Sequence, residues 1–173
     1  MGDVIQLTPL LLPYVLSAAL TLGLTAYGVR QYRLDPNQTT LAFTGVALSV
    51  SVWTVARSLE LLFVDPTLSR LWLSTLYIGY GGATMSALFL GLAFAGYERL
   101  LTRRNAGAVL LIPLIAVFVA ATNASHELLW TGDFVRQSGW YGDLLVFDRT
   151  FQPLFGAYLV YTVTGALGGI SLL

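Results

Sequence analysis

Five long stretches without a charged residue constrain the fold of this chain more than any other feature. A transmembrane helix needs about 20 mostly apolar residues to cross roughly 30 Å of hydrocarbon. Such stretches run from Val4 to Val29, from Pro36 to Ala56, from Leu71 to Tyr97, from Asn105 to Ser125, and from Thr150 to Leu173, and the second continues past the charged Arg57 and Glu60 to Val64. Inside a bilayer the backbone must satisfy its own hydrogen bonds, and no alternating ten-residue pattern indicates a barrel.

We therefore predict an all-α fold, a polytopic transmembrane bundle of five membrane-spanning helices in a multi-pass protein of the cell membrane. The helices are expected at residues 7–29, 39–64, 70–97, 106–122 and 153–173, within a single membrane-embedded domain that covers residues 1–173. The lipid bilayer is the first partner that this pattern implies.

The composition excludes several classes of protein. Only 10% of the residues are charged and 56% are hydrophobic, whereas a soluble domain carries about 25% charged residues, so a soluble enzyme is excluded. A net charge of zero removes the basic footprint of a protein that binds nucleic acid. All nine basic residues are arginine and cysteine is absent. Lysine Schiff bases, a rhodopsin-like photoreceptor and thiolate metal sites are therefore excluded, and no cofactor is expected.

Arginines flank the predicted helices unevenly, and their distribution predicts the orientation. Positively charged residues in short loops are retained on the cytoplasmic side. Five follow the first and third helices: Arg30, Arg33, Arg99, Arg103 and Arg104. The opposite loops hold Arg70, Arg136 and Arg149 together with five acidic residues. We expect the N-terminus outside and the C-terminus inside.

The segment from Thr122 to Arg149 is polar and aromatic and is the longest predicted connection. Loops of this length in a compact protein are usually functional or disordered. Its aromatic residues, among them Trp130, Trp140 and Tyr141, favour packing at the outer membrane interface.

Arg57 and Glu60 lie three residues apart in the second predicted helix, so they share a face and can reach each other. Charges at membrane depth are costly and usually face a bundle interior or a cavity. Three interpretations stay open: a structural clamp, part of a ligand-sensitive or proton-sensitive site, or an arginine that snorkels to the outer interface.

The third helix carries two further features. Tyr77 and Tyr80 lie at the depth of Glu60. Their hydroxyls either hydrogen-bond Glu60 or a ligand, or they belong to the ordinary aromatic belt of a membrane interface. Four small residues at four-residue spacing predict a ridge that lets a neighbouring helix approach closely. These packing residues are Ala83, Ala87, Gly91 and Ala95.

His126 is the single histidine, close to Asn123 and Trp130 at the end of the fourth helix. One histidine without a second histidine or a cysteine is a poor metal site, and without a nucleophile elbow it is a poor catalytic base. A role as a capping or interface residue and a pH-sensing role both stay open. The candidate signal-sensing residues are Arg57, Glu60, Tyr77, Tyr80, Asn123, His126 and Trp130, and no catalytic or metal-binding residue is predicted.

Several short strings, taken in order, resemble one protein family. They are Trp53 with Arg57 and Leu59-Glu60-Leu61, Tyr77-Ile78-Gly79, Phe94-Ala95-Gly96-Tyr97 running into Arg99 to Arg104, Ile112-Pro113, and Thr122-Asn123 with His126 to Trp130. Their order and spacing resemble the N-terminal seven-transmembrane region in front of prokaryotic sensor histidine kinases. The resemblance covers most of Leu7 to Phe134 and implies a sensory input module that passes a stimulus to a cytoplasmic kinase.

Two departures from the family pattern matter. Family members commonly have a proline shortly after Tyr-x-Gly, where this chain has Ala83-Thr84-Met85-Ser86, so we expect a third helix without that kink. The chain also ends at Leu173, so helices six and seven and a kinase module are expected to be missing. We therefore expect no enzymatic activity, and a homodimer or a cytoplasmic kinase module as partner.

The leading hypothesis is the sensor domain of a two-component signal transduction system that lacks its own kinase module and responds to an unknown small molecule or physical stimulus. Its receptive region would comprise Glu60, Tyr77, Tyr80 and the segment 122–130. The alternative is a small transporter or channel component, which would need polar groups along the membrane midplane or discontinuous helices. A membrane enzyme would need clustered histidines or acidic residues, and His126 stands alone.

Overall fold

The computed structural model of the chain describes residues 5–140 and 142–173. Within these ranges, five helices are long and apolar enough to cross a membrane, which confirms the predicted number. They are α1 (Leu11–Leu34), α2 (Gln38–Leu62), α3 (Pro66–Phe94), α4 (Arg103–Ala121) and α6 (Pro153–Ile170). A four-residue helix, α5 (Asn123–His126), follows α4. Tyr141 and residues 1–4, where the first apolar stretch begins, lie outside the described residues.

Side chains in the connecting turns determine where three of the helices begin. Asn37 accepts a hydrogen bond from the main-chain nitrogen of Thr40 at 2.8 Å and caps α2. Asp65 accepts from two main-chain nitrogens at the start of α3, at 3.0 and 2.9 Å, and Pro66 occupies the first turn. Thr102 caps α4 in the same way. Each cap pairs N–H groups that have no partner within the helix.

Helix α1 is displaced along the chain relative to the prediction of 7–29. The residues before it are not helical: Ile5 pairs with Phe63 in an isolated bridge, the main-chain nitrogen of Gln6 donates to the carbonyl of Leu62, and a turn at residues 9–10 leads into α1. At its other end α1 continues past Arg30 to Leu34, because helical hydrogen bonds do not require apolar side chains. Pro36 follows shortly afterwards and disfavours further helix.

Helix α3 ends at Phe94, before the predicted Tyr97. Gly96 adopts a left-handed conformation with φ +76°. Its main-chain nitrogen donates to Ala93, and that of Tyr97 donates to Leu92 at 2.8 Å. This pattern closes the helix because it pairs the last free carbonyl groups, and glycine adopts the required φ without strain.

Helix α3 lies in the centre of the bundle and packs against α2, α4 and α6, whereas α1 packs chiefly against α2. Close approaches occur at glycines: Gly79 lies against Trp53 of α2, and Gly91 lies against Gly169 of α6. In the predicted small-residue ridge, Ala87 and Gly91 contact Gly169, and Ala83 is half-buried. Ala95 lies beyond the end of α3 and is exposed, so the ridge stops one member earlier than predicted.

The prediction of an all-α fold is wrong for the segment after α5. Strands β1 (Trp130–Gly139) and β2 (Gly142–Phe151) form an antiparallel hairpin, with Trp130 opposite Phe151 and Phe134 opposite Phe147. The requirement for helix applies to segments that cross hydrocarbon; this segment is not among the five candidate spans and is rich in β-branched and aromatic residues, which favour strands. The hairpin lies over the end of the bundle where α2 and α4 terminate and α3 and α6 begin, which we call the hairpin end.

Candidate functional site

The centre of the site is a cluster of three charged side chains that joins the hairpin to helix α2. Arg57 donates to one carboxylate oxygen of Glu60 at 2.5 Å, as the predicted spacing of three residues allows. Arg149 of β2 donates to the other oxygen of Glu60 at 3.0 Å. The side chain of Glu60 is only 4% exposed, so this carboxylate is buried between two guanidinium groups.

Aromatic rings support both arginines. The guanidinium of Arg57 lies 5.8 Å from the ring centre of Tyr14 in α1, and that of Arg149 lies 5.9 Å from the ring centre of Phe151. A cation over an aromatic face is attracted by the ring quadrupole, more strongly where water is excluded. The cluster thus connects α1, α2 and β2, and removal of one member would leave a buried charge without its partner.

Gln6 makes a second connection between α2 and the hairpin. Its side-chain amide nitrogen donates to the carbonyls of Leu61 at 3.0 Å and Leu145 at 2.7 Å. Its amide oxygen accepts from the main-chain nitrogen of Leu145 at 3.0 Å. This one side chain therefore pairs a free carbonyl at the end of α2 and both main-chain groups of a residue in β2.

Asn123 shapes the passage from α4 into the hairpin. It is buried, donates to the carbonyl of Trp130 and accepts from the main-chain nitrogen of Leu129, each at 2.8 Å. Glu127 adopts a left-handed φ of 53° and ends the short helix. Asn123 thus holds Trp130 in place at the first residue of β1.

A stack of aromatic rings runs from the hairpin into the bundle. Trp130 stacks on Tyr77 of α3 with ring centres 5.4 Å apart, and Tyr77 stacks on Tyr158 of α6 at 5.3 Å. The hydroxyl of Tyr158 donates to the carbonyl of Tyr77 at 3.3 Å. The structure therefore brings Tyr77, Trp130 and Asn123 together as one contiguous group.

The predicted hydrogen bond from a tyrosine to Glu60 is absent from the described part of the chain. Both oxygens of Glu60 accept from arginines, and the buried hydroxyl of Tyr77 has no hydrogen-bond partner there. Tyr80 is half-exposed and packs against Trp53 of α2, with ring centres 5.8 Å apart. Shared depth in the membrane does not bring these hydroxyls to Glu60, because α3 turns its Tyr80 face toward Trp53.

His126 is exposed and bonded locally. Its Nδ1 accepts from the main-chain nitrogen of Leu128 at 3.1 Å, and its Nε2 lies 3.0 Å from the hydroxyl of Thr122. An Nδ1 that accepts must be unprotonated, so this geometry fits the neutral ring with its proton on Nε2. Among the described residues no group of three or more His, Cys, Asp and Glu side chains is placed to hold a metal ion.

A cavity of about 340 Å³ opens at the hairpin end between α3, α4 and β1. Asn123 and Trp130 form part of its wall, and Arg70 and Glu127 contribute opposite charges at its edge. Two of the predicted sensing residues thus lie beside a space large enough for a small molecule, whereas Arg57 and Glu60 lie elsewhere.

Sequence reasoning missed Arg149, Gln6 and Tyr158. The sequence does contain a signal for Arg149. It is the charged residue immediately before the last apolar stretch, and a buried acid such as Glu60 requires a cationic partner. Gln6 and Tyr158 carry no such signal. Each lies within an apolar stretch without a distinctive pattern around it, and each contacts residues that are distant in the sequence.

Comparison with known proteins identifies one family. The family model that describes the N-terminal 7TM region of histidine kinase matches residues 13–173. No curated protein and no solved structure matches the chain.

Proposed function

Because the chain belongs to the family of N-terminal 7TM regions of histidine kinases, we propose that it is the membrane sensor domain of a two-component system. The matched region is a sensor region and not a kinase catalytic domain. On this proposal the chain receives a stimulus and a separate kinase module carries out the phosphoryl transfer. A cytoplasmic kinase module or a second copy of the chain is the proposed partner.

The proposed receptive region is the hairpin end, which faces the outside of the cell membrane. The arginine distribution supports this orientation, since Arg30 and Arg33 at the end of α1 and Arg103 and Arg104 at the start of α4 lie at the opposite end of the bundle. Positive residues in short loops are retained in the cytoplasm. The N-terminus of α1 is then outside and the C-terminus of α6 inside.

The observation that carries the proposal is that one buried carboxylate joins the hairpin to a transmembrane helix. Glu60 is held by Arg57 within α2 and by Arg149 of β2. A stimulus that moves the hairpin displaces Arg149, alters its ion pair with Glu60 and thereby shifts the position of α2. Helix shifts of about 1–2 Å at such contacts are a common form of switching.

The cavity beside Asn123 and Trp130 supplies a place where a small molecule could act on the same hairpin. Trp130 connects that cavity to Tyr77 of α3 by direct stacking. The sensing candidates Tyr77, Asn123 and Trp130 therefore belong to one route from the outer surface to the central helix, and Arg57 and Glu60 belong to another. Tyr80 and His126 lie outside both routes.

The test is kinase output in cells that carry the chain together with its kinase. Glu60→Gln removes the charge that holds both arginines, and we expect the basal autophosphorylation level or the response to stimulus to change severalfold. Asp133→Asn removes an exposed acidic group of the hairpin that lines neither cavity and is the matched control. Normal output from the Glu60→Gln variant at normal membrane expression would contradict the proposal. Selective ion flux through liposomes that contain the purified chain would instead favour a channel or transporter.

A further inference from the structure

A second cavity lies between α1 and α2, on the side of the Arg57–Glu60–Arg149 cluster away from the cavity at Asn123. It has a volume of about 430 Å³. Its polar wall is formed by Tyr14, Ser17, Thr54 and Arg57, and the ring of Trp53 closes one side. Leu10, Pro13 and Leu61 make the remaining wall apolar.

The charges beside this cavity do not balance. Both oxygens of Glu60 are occupied, one by Arg57 and one by Arg149. Among the described residues, no other acidic side chain forms an ion pair with either arginine. Two mostly buried cations, with side chains 22% and 17% exposed, therefore share one anion, and such an excess charge is costly unless a further anion pairs with it.

Arg57 has the donors to bind that anion. A guanidinium carries five N–H groups, and Arg57 uses one nitrogen for Glu60 while its side chain lines the cavity. A guanidinium with N–H groups left over at the wall of a cavity can bind an anion there through charge-assisted hydrogen bonds.

The position of the cavity indicates that its ligand comes from the membrane. Arg57 lies five residues before the end of α2, which places it about 8 Å below the hairpin end of the helix. When a hydrocarbon core of about 30 Å is centred on this helix of about 37 Å, Arg57 lies roughly 4 Å inside its boundary, a distance over which an arginine side chain can reach the lipid phosphates. Helix α1 packs chiefly on α2, so the groove between them lies at the edge of the bundle.

We propose that the groove between α1 and α2 binds an anionic membrane lipid, whose phosphate pairs with Arg57 and whose acyl chain lies along Trp53 and Tyr80. The two rings are in contact, 5.8 Å between centres, and Tyr80 is half-exposed beyond Trp53. A phosphate accepts charge-assisted hydrogen bonds from arginine and is the best-matched acceptor for a guanidinium fork. This binding site does not depend on the proposed signalling function.

The test measures lipid preference at Trp53 in vesicles that contain the purified full chain. Lipids with brominated acyl chains quench tryptophan fluorescence on contact, and the Trp53→Phe variant isolates the contribution of Trp53 from that of the other three tryptophans. We expect brominated phosphatidylglycerol to associate about fivefold more strongly than brominated phosphatidylcholine, the factor expected for one cation near a membrane surface. Arg57→Gln should reduce that ratio to about one.

Arg30→Gln is the matched control, because Arg30 is exposed near the opposite end of α1; it should leave the ratio unchanged. An equal association of the two lipids with the wild-type chain, or an unchanged ratio in Arg57→Gln, would overturn the proposal. Loss of the preference on addition of inorganic phosphate at constant ionic strength would assign the site to a free anion and overturn the lipid assignment.

A second measurement needs no variant and covers the case in which Arg57→Gln does not fold. Native mass spectrometry of the wild-type chain released from mixed-lipid micelles should show phosphatidylglycerol adducts that survive activation better than phosphatidylcholine adducts. Equal survival of the two adducts would count against the site.

Discussion

The hydroxyl of Tyr161 in α6 donates a hydrogen bond to the main-chain carbonyl of Val109 in α4, at 3.0 Å. Val109 lies four residues before Pro113, which is inside α4 and has no N–H group to offer that carbonyl. The tyrosine therefore supplies the donor that the proline lacks. In a bilayer, where water cannot take this role, a neighbouring helix must pair such a carbonyl.

Tyr161→Phe should lower the free energy of unfolding by about 1 kcal/mol, in the range of hydrogen bonds between membrane helices. The measurement is reversible unfolding in mixed micelles. In the Pro113→Ala background the same substitution should cost less, because the new main-chain nitrogen at residue 113 can pair with Val109. An equal cost in both backgrounds would show that the hydrogen bond does not compensate for the proline.

Arg149→Gln should destabilise the chain by about 2 kcal/mol, because it leaves the buried Glu60 with one of its two cations. Arg136 is the matched control on the same hairpin, since it pairs with Asp143 only at 3.7 Å and both side chains are more than half exposed. Arg136→Gln should change the free energy of unfolding by less than about 0.5 kcal/mol. Similar losses in the two variants, measured by unfolding in micelles, would argue against a special role for the Glu60 contact.

Asn123→Ala should loosen the start of the hairpin, because it leaves the carbonyl of Trp130 and the main-chain nitrogen of Leu129 without their buried partner. Each unpaired buried group costs about 1–3 kcal/mol. Trypsin offers a direct readout, since it cleaves after Arg136 within β1, and the rate should rise severalfold as the hairpin opens. Ser125→Ala, in the same short helix but exposed, should leave the rate unchanged. Unaltered cleavage of Asn123→Ala would mean that other contacts suffice to hold β1.

Gly169→Ala should separate α3 from α6, because a Cβ at this position would collide with the carbonyl oxygen of Ala87. Overpacking of this kind costs about 1–3 kcal/mol. Gly156 lies in the same helix with no atom near its added Cβ, so Gly156→Ala should be neutral or stabilise the helix by up to about 1 kcal/mol. Thermal denaturation in detergent distinguishes the two variants, and a tolerated Gly169→Ala would show that the helices can separate without loss.

Much of this protein could be predicted from sequence because the relevant physics is local. A helix in a bilayer satisfies its own backbone, so an apolar stretch between charges identifies it without knowledge of its neighbours. The helix boundaries could not be predicted from hydropathy in this way, because they depend on backbone conformations and on contacts outside the helix. The end of α3 depends on the left-handed Gly96, and the start of α1 depends on the pairing of Ile5 with Phe63, which is distant in sequence.

In the candidate site, too, contacts between residues close in sequence were predictable and contacts between distant residues were not. The spacing of Arg57 and Glu60 on one helix predicted their contact, which the structure contains. Their third partner, Arg149, lies 89 residues after Glu60, and the contact of Gln6 with Leu145 spans 139 residues. For Tyr80 the prediction proposed a contact that the structure lacks. Equal depth in the membrane suggested a contact with Glu60, but the rotation of α3 directs Tyr80 to Trp53.

The sequence by itself determined that the chain forms apolar helices, and its ordered motifs identified the histidine-kinase input family. Only the tertiary structure decided that the segment between α5 and α6 is a hairpin, that Arg149 completes the cluster at Glu60, and that Tyr161 pairs the carbonyl left free by Pro113. The physical reason is that insertion in a bilayer depends on the hydropathy of each segment separately. Contacts between segments depend instead on how helices pack and rotate against one another, which no local pattern specifies.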